Sequence, residues 1–301
     1  MNYSVFADFC RDLGLCVKEN EPMKNHTGFK TGGNSDLFVT VCDKECLCAL
    51  LETAKALETP VFVLGNGSNL LVSDRGIEGA VLSLSGLDKI CINGTCVTAE
   101  AGASLTALCV AAANEGLSGL EFAYGIPGTV GGALFMNAGA YGGEMADVVT
   151  SADYVTLNAT VGSIDKAQMD LGYRTSCFKK NGNIITGVTF ELKPAEKSEI
   201  WDKMNELMAK RKEKQPLEYP SAGSTFKRPK GHFAGALIEE NNLKGKQIGG
   251  AQVSEKHAGF VINRDNATTD DILKLMEHIK SVVLQNNGID LEAEVIFVGR
   301  K

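Results

Sequence analysis

Two glycine-bearing turns carry the densest chemical signal in the sequence. Gly125 to Gly143, G-I-P-G-T-V-G-G-A-L-F-M-N-A-G-A-Y-G-G, places seven glycines in nineteen residues. Glycine lets another group approach the main chain closely. Pro127 suits the first position of a helix that Val130 to Met136 would continue. A turn that feeds a helix start offers backbone N–H groups to an anion such as phosphate. Close backbone packing explains the same glycines, and the stretch alone fits both readings equally. The other turn, Leu64 to Leu71 (L-G-N-G-S-N-L-L), follows directly on the apolar run Val61 to Leu64. Two such turns in one module suit a long ligand with a pyrophosphate in its middle. Backbone N–H groups solvate phosphate without lysine or arginine, and Asn66, Ser68 and Asn69 add side-chain hydrogen bonds.

Familiar nucleotide motifs do not account for these turns. Gly65 and Gly67 fit the start of a G-x-G-x-x-G fingerprint, but Leu70 stands where the third glycine belongs. Asp74-Arg75-Gly76 then arrives too soon for a crossover helix. No G-K-[ST] follows a glycine loop, which excludes a P-loop.

The remaining polar candidates are isolated. Ser224 has a glycine before it but lacks the G-x-S-x-G elbow; alone it reads as a serine bonding its own backbone. Arg174 follows Gly172-Tyr173 and alone reads as half of a surface ion pair. Glu292 and Glu294 point to one face of a terminal strand, which alone reads as a solvated face. Four histidines are scattered, and only His257 adjoins a strand, where a structural role is the ordinary one. Nine cysteines include no C-x-x-C, and the Cys42, Cys46 and Cys48 cluster has no histidine near it, so no metal site is expected. Cys91 and Cys96 flank an Asn93-Gly94 hairpin turn that would set them opposite each other, as free thiols in a reducing compartment.

Composition limits the class. A 301-residue chain is long enough for two or three domains with a sizeable core. A net charge of −7 argues against a general nucleic-acid or anionic-membrane binder. No apolar run approaches the roughly 20 residues of a membrane span, and the N-terminus lacks the pattern of a signal peptide. Cytoplasmic location is the default expectation.

Periodicity and punctuation give the elements that must position these groups. Helices are expected over residues 4–13, 46–57, 104–113, 199–212, 233–239 and 270–285, the last capped by Thr268 and ended by Gly288. Strands are expected over 37–42, 61–64, 80–84, 89–92, 96–101, 152–157, 163–165, 184–192 and 291–298, with one inside 256–263. Asn25 to Asp36 is a loop, and Pro194 to Lys197 is the best domain boundary. The class is α+β.

Six segments in order, H-T-G-F-K-T-G-G-N-S-D (26–36), L-G-N-G-S-N-L-L (64–71), the glycine stretch 125–142, G-Y-R-T-S-C-F-K (172–179), S-A-G-S-T-F-K-R-P (221–229) and L-E-A-E-V (291–295), resemble the UDP-N-acetylenolpyruvoylglucosamine reductase family. The resemblance spans nearly the whole chain and is to the shorter subclass, without an inserted tyrosine loop. It implies a two-lobed FAD-binding module of the vanillyl-alcohol-oxidase/PCMH type over residues 1–196, with lobes of about 1–75 and 76–196, and a smaller α+β substrate-binding domain over 197–301. It implies NADPH-dependent reduction of UDP-N-acetylglucosamine enolpyruvate to UDP-N-acetylmuramate in peptidoglycan synthesis, by a cytoplasmic monomer without nucleic-acid or membrane partners. The hydride passes from reduced flavin to the enolpyruvyl group, and a proton follows. By motif, Ser224 corresponds to the proton donor, and Arg174 and Glu294 to the groups at the enolpyruvyl carboxylate. FAD contacts are implied at Gly65, Asn66, Gly67, Ser68, Asn69, Gly125, Ile126, Pro127, Gly128, Thr129, Gly131, Gly132, Ala133, Asn137 and Gly139. Substrate contacts are implied at Tyr173, Lys227, Arg228 and His257, with Arg228 standing where many members have asparagine. The first turn has neither histidine nor cysteine, so the FAD is expected to be non-covalent. A side chain at Gly131 is expected to block flavin before it disturbs the fold. Another flavin oxidase or dehydrogenase of the same fold is the alternative activity.

Overall fold

The computed structural model describes residues 3–301. Its chain divides into two compact units. The first comprises residues up to Glu19, Leu37–Asn66 and Gly79–Arg211; the second comprises Asn20–Asp36, Gly67–Glu78 and Lys212–Lys301. The first unit runs to Arg211, and Ile200 and Met204 of the helix Lys197–Lys214 bury in its core.

The first unit is built around a five-stranded antiparallel sheet. Its order is Val161–Asp165, Val149–Val155, Ile184–Glu191, Cys96–Glu100, Ile90–Asn93. Alternating burial along these strands sends Val97, Ala99, Val188 and Phe190 into the core with the helix Leu105–Asn114. The parallel pair Val61–Leu64 and Ile77–Ser83 belongs to a four-stranded sheet, and the apolar residues Ala80 and Leu82 join the same core. The hairpin turn lies one residue later than expected. Asn93 pairs with Cys96 and Cys91 with Thr98, so Gly94-Thr95 form the loop and the two cysteines are not opposed.

The second unit gathers three separated segments, and backbone pairing explains why. Leu70–Val72 pairs in parallel with Ile296–Val298. Asp74 caps the helix Thr269–Asn287, accepting the N–H groups of Thr269 (2.9 Å) and Asp270 (3.0 Å). Thr268 and Asp271 complete the capping box expected for this helix. Ile272, Leu275, Ile279 and Val283 form its buried stripe, packed in one cluster with Phe29, Leu71, Phe226 and Val261. The expected terminal strand over 291–298 is shorter: only Ile296–Val298 is strand, and Ala293 makes an isolated bridge to Phe226.

The second glycine stretch also differs from expectation. Its helix runs Val130–Phe135 with Thr129 as the cap, so Pro127 lies two residues before the cap and not at the first helical position. Gly131 donates its N–H to the Ala101 carbonyl (2.8 Å). A Cβ on Gly131 would lie 2.7 Å from the Ala101 Cβ. Close packing alone therefore explains this glycine. Gly131→Val should destabilise the apo-protein by about 1–3 kcal/mol, the usual range for overpacking. Thermal unfolding checks it; an unchanged apo melting point with lost flavin would favour direct flavin contact instead.

Candidate functional site

Within the first unit, Gly65 and Asn66 of the first turn lie against the second glycine stretch. Asn66 donates its side-chain amide to the Pro127 carbonyl (3.1 Å). A Cβ on Gly65 would stand 2.6 Å from Thr129 Oγ1, so only glycine fits beside that threonine. The donors of the second turn are largely engaged by protein. Gly128, Val130 and Gly131 donate to the carbonyls of Ile126, Ala103 and Ala101, and Gly132 to Thr129 Oγ1.

The first turn is different. Among the described residues, the successive backbone N–H groups of Asn66, Gly67, Ser68 and Asn69 have no protein acceptor. Gly67 adopts φ +62°, and a Cβ there would come 2.0 Å from the His26 carbonyl. Its own carbonyl accepts from Gly28 N–H (3.1 Å) and Leu70 N–H (3.3 Å). The turn is thus fixed from its carbonyl side, and its N–H row suits an anionic diester such as a pyrophosphate. Asn69 is not fully given to a ligand. Its side-chain amide donates to the Glu294 carbonyl (3.1 Å), and its carbonyl accepts from Ile296 N–H (3.0 Å).

Arg174 sits at the tip of a two-residue turn closed by Gly172 and Thr175, whose N–H and carbonyl groups bond each other (3.2 Å each way). It holds φ +56°, uncommon for a residue with a Cβ. Three contacts tie this turn to the second glycine stretch. Asn137 donates to the Gly172 carbonyl (3.1 Å), Ser176 Oγ donates to the Phe135 carbonyl (2.8 Å), and Arg174 Nη2 reaches the Gly139 carbonyl (3.5 Å). Asn137 is itself buried and accepts from Ala146 N–H (2.9 Å). The Arg174 guanidinium lies over the exposed Tyr173 ring, 5.2 Å from its centroid.

Glu294 is hydrogen-bonded through its backbone to Thr225, the residue that follows Ser224, so the two stretches adjoin within the second unit. Thr225 is fully buried, donates its N–H to the Gly259 carbonyl (2.9 Å) and accepts Glu294 N–H at its own carbonyl (2.9 Å). Its Oγ1 accepts Val261 N–H (2.9 Å). Ser224 is exposed beside this anchor, and Glu294 is half-buried. Lys227 forms an ion pair with Glu292 and donates its N–H to the Glu292 carbonyl (2.8 Å). The two glutamates therefore differ in environment, although they are two residues apart. Arg228 stacks on the exposed Phe233 ring at 4.0 Å. His257 accepts Gly259 N–H at Nδ1 (3.1 Å) and packs against Phe260. Burial pushes its pKa below the usual imidazole range, which favours the neutral ring.

Two residues of consequence escape a reading by motif. Thr225 was hidden by its ordinary place between serine and phenylalanine. Arg211 lies seven residues after Met204 and four after Leu207, both buried on the helix Lys197–Lys214. A cation at that period belongs to the inner stripe of the helix, and the surrounding charges disguise it. Among the described residues no group of three or more histidines, cysteines, aspartates or glutamates could hold a metal, and no helix is long and apolar enough to cross a membrane.

Known proteins resemble this chain over nearly its whole length. Residues 215–298 match the model of the UDP-N-acetylenolpyruvoylglucosamine reductase C-terminal domain, and residues 35–164 match an FAD binding domain. The UDP-N-acetylenolpyruvoylglucosamine reductase of Clostridium perfringens strain SM101 is 46% identical over 298 residues, 99% of this chain and 97% of the relative. That of Clostridium botulinum strain Hall is 49% identical over 282 residues, 94% of this chain and 92% of the relative. The crystal structure of the Thermus caldophilus UDP-N-acetylenolpyruvylglucosamine reductase superposes with a TM-score of 0.80 at 36% identity, covering 94% of this chain and 98% of that one.

Thr225→Val should leave the buried Val261 N–H without an acceptor. Loss of that partner should destabilise the chain by about 1–3 kcal/mol, and turnover should fall because the Thr225 main chain, which carries Ser224 and bonds Glu294, loses its side-chain tie to Val261. Denaturant unfolding with activity at saturating substrate checks it. Unchanged stability would mean that the hydroxyl holds nothing.

Proposed function

The chain belongs to the UDP-N-acetylenolpyruvoylglucosamine reductase family, and on that premise we propose that it reduces UDP-N-acetylglucosamine enolpyruvate to UDP-N-acetylmuramate with NADPH, as an FAD-dependent oxidoreductase of peptidoglycan precursor synthesis. The observation that carries the reading is the joining of the Ser224 and Glu294 stretches through Thr225. Two motifs more than sixty residues apart in sequence meet in one hydrogen-bonded frame.

FAD, when bound, supplies hydride chemistry between NADPH and the carbon substrate. The N–H row of Asn66, Gly67, Ser68 and Asn69 has the donor chemistry for its pyrophosphate. The remaining FAD contacts implied by the motifs, from Gly125 through Gly139, belong to the same proposal, as do a flavin module over residues 1–196 and a substrate domain beyond it. Non-covalent attachment follows from the absence of histidine and cysteine in the first turn.

The substrate's reacting group is an enol ether bearing a carboxylate. When its terminal carbon gains a hydride, negative charge moves into the carboxylate and the adjacent carbon. Arg174 is a permanent cation and suits that charge in two-pronged fashion. Its turn, tied down by Asn137 and Ser176, limits how far the guanidinium can wander. Glu294 assists if it carries a proton, or if it orients another donor. Ser224 then gives its hydroxyl proton to the adjacent carbon. A serine hydroxyl is a feeble acid, but the carbanion-like adduct is a strong base, so the transfer runs downhill. Tyr173, Lys227, Arg228 and His257 complete the substrate contacts of the reading. The UDP moiety and NADPH are both cytoplasmic metabolites, which supports a cytoplasmic enzyme; a monomer, and roles in cell shape, division and the cell cycle, belong to the same proposal.

Ser224→Ala separates the two halves of the reaction. Bleaching of the flavin absorbance by NADPH should keep near wild-type speed in stopped flow, since no substrate proton is involved. Return of colour on adding the enolpyruvyl sugar nucleotide should slow by at least about 10², the lower end for loss of a positioned general acid. Recovery within a few-fold of wild type would remove Ser224 from the role. Equal slowing of both halves would point to a misplaced cofactor.

A further inference from the structure

Arg211 is a cation that the protein itself does not neutralise. It belongs to the first unit and lies on the inner side of the helix Lys197–Lys214. Its Nε is buried with no hydrogen-bond partner among the described residues. Among the described residues no carboxylate forms an ion pair with it, and the Tyr141 hydroxyl is a titratable group that bears on it. Burial pushes its pKa below the ordinary guanidinium value. The side chain as a whole is half-buried, and an enclosed guanidinium nitrogen without a partner is costly because desolvation disfavours it.

The place of this cation points to its partner. A Cβ on Gly125 would meet Met208 Cε at 2.6 Å and Arg211 Cδ at 3.4 Å, so the Arg211 side chain runs along the first residue of the second glycine stretch. Tyr141 comes from the other end of the same stretch. The backbone donors of that stretch are engaged within the protein at Gly128, Val130, Gly131 and Gly132. An anion lying there must therefore find its positive partner in a side chain, and Arg211, half-buried with its Nε enclosed, runs along the stretch.

We propose that Arg211 binds the diphosphate of the dinucleotide cofactor, the ligand supplying the counter-ion that the protein leaves out. This rests on the FAD reading above. A guanidinium presents paired N–H donors that match two phosphate oxygens. The arrangement also makes a second, separable statement. In the cofactor-free protein Arg211 is a liability, so removing its charge should relieve the fold while weakening the ligand. Function and stability then move in opposite directions at one residue.

The test uses the full chain stripped of flavin, with Arg211→Met and Arg211→Lys beside wild type. FAD is titrated into each by quenching of flavin fluorescence. Melting points are taken without flavin, and the affinity for UDP-N-acetylmuramate is measured on FAD-loaded protein. Arg211→Met should weaken FAD binding by at least about tenfold, with Arg211→Lys between it and wild type. The flavin-free melting point of Arg211→Met should equal or exceed that of wild type. FAD affinity equal to wild type in Arg211→Met would overturn the inference. So would weakened UDP-N-acetylmuramate binding with unchanged FAD, which would give Arg211 to the sugar nucleotide's diphosphate. A fall in flavin-free melting point that tracks the loss of FAD would make Arg211 a packing residue and also overturn it. Failure of wild type to bind FAD would instead defeat the family reading on which the inference stands.

Discussion

The hydrogen bonds around Thr225 are the constraint on which the second unit's chemistry depends. One buried residue joins Gly259, Val261 and Glu294 by main-chain and hydroxyl bonds. Buried backbone groups must be satisfied somewhere, and here their satisfaction fixes the register of three chain segments at once. Ser224 inherits its position from that register and not from contacts of its own. Glu294 is held twice, by the Thr225 carbonyl on its N–H and by the Asn69 amide on its carbonyl. A reacting group is best carried on a frame of this kind, because the side chain stays exposed while its backbone cannot drift.

The first unit solves a related problem with glycine. Close packing removes the room for a side chain at Gly65, beside Thr129 Oγ1, and at Gly131, beside Ala101. The same packing consumes the N–H donors of the second turn. The first turn keeps its donors because its bonds are made through carbonyls. The two turns look alike as strings of letters, yet one is a packing device and the other a donor row. Arg174 gains its fixed geometry from the packing device, through Asn137 and Ser176.

Elements with strong local signals were legible in the sequence. The capping box at Thr268 and Asp271 and the strand Ile184–Glu191 stand within a residue or so of their expected places. The family and its flavin chemistry were legible because six motifs keep their order. What local pattern could not reveal was set by partners distant in sequence. The stretch 291–298 alternates like a strand, but only Ile296–Val298 finds a neighbour, in Leu70–Val72. Pro127 looks like a helix start, but Thr129 offers the better cap. The hairpin closes on Gly94-Thr95 because that register pairs Ile92 with Val97. Arg211 was invisible as a special residue because its burial depends on Gly125, eighty-six positions earlier.

The central claim is that electrons from NADPH end on the enolpyruvyl sugar nucleotide. Its most direct test is a stoichiometry taken without oxygen. NADPH and UDP-N-acetylglucosamine enolpyruvate are mixed with the flavin-loaded protein, and NADPH loss is compared with product formed. The account predicts that one UDP-N-acetylmuramate appears for each NADPH consumed. NADPH consumption that needs oxygen, yields hydrogen peroxide and leaves the sugar nucleotide unchanged would contradict it.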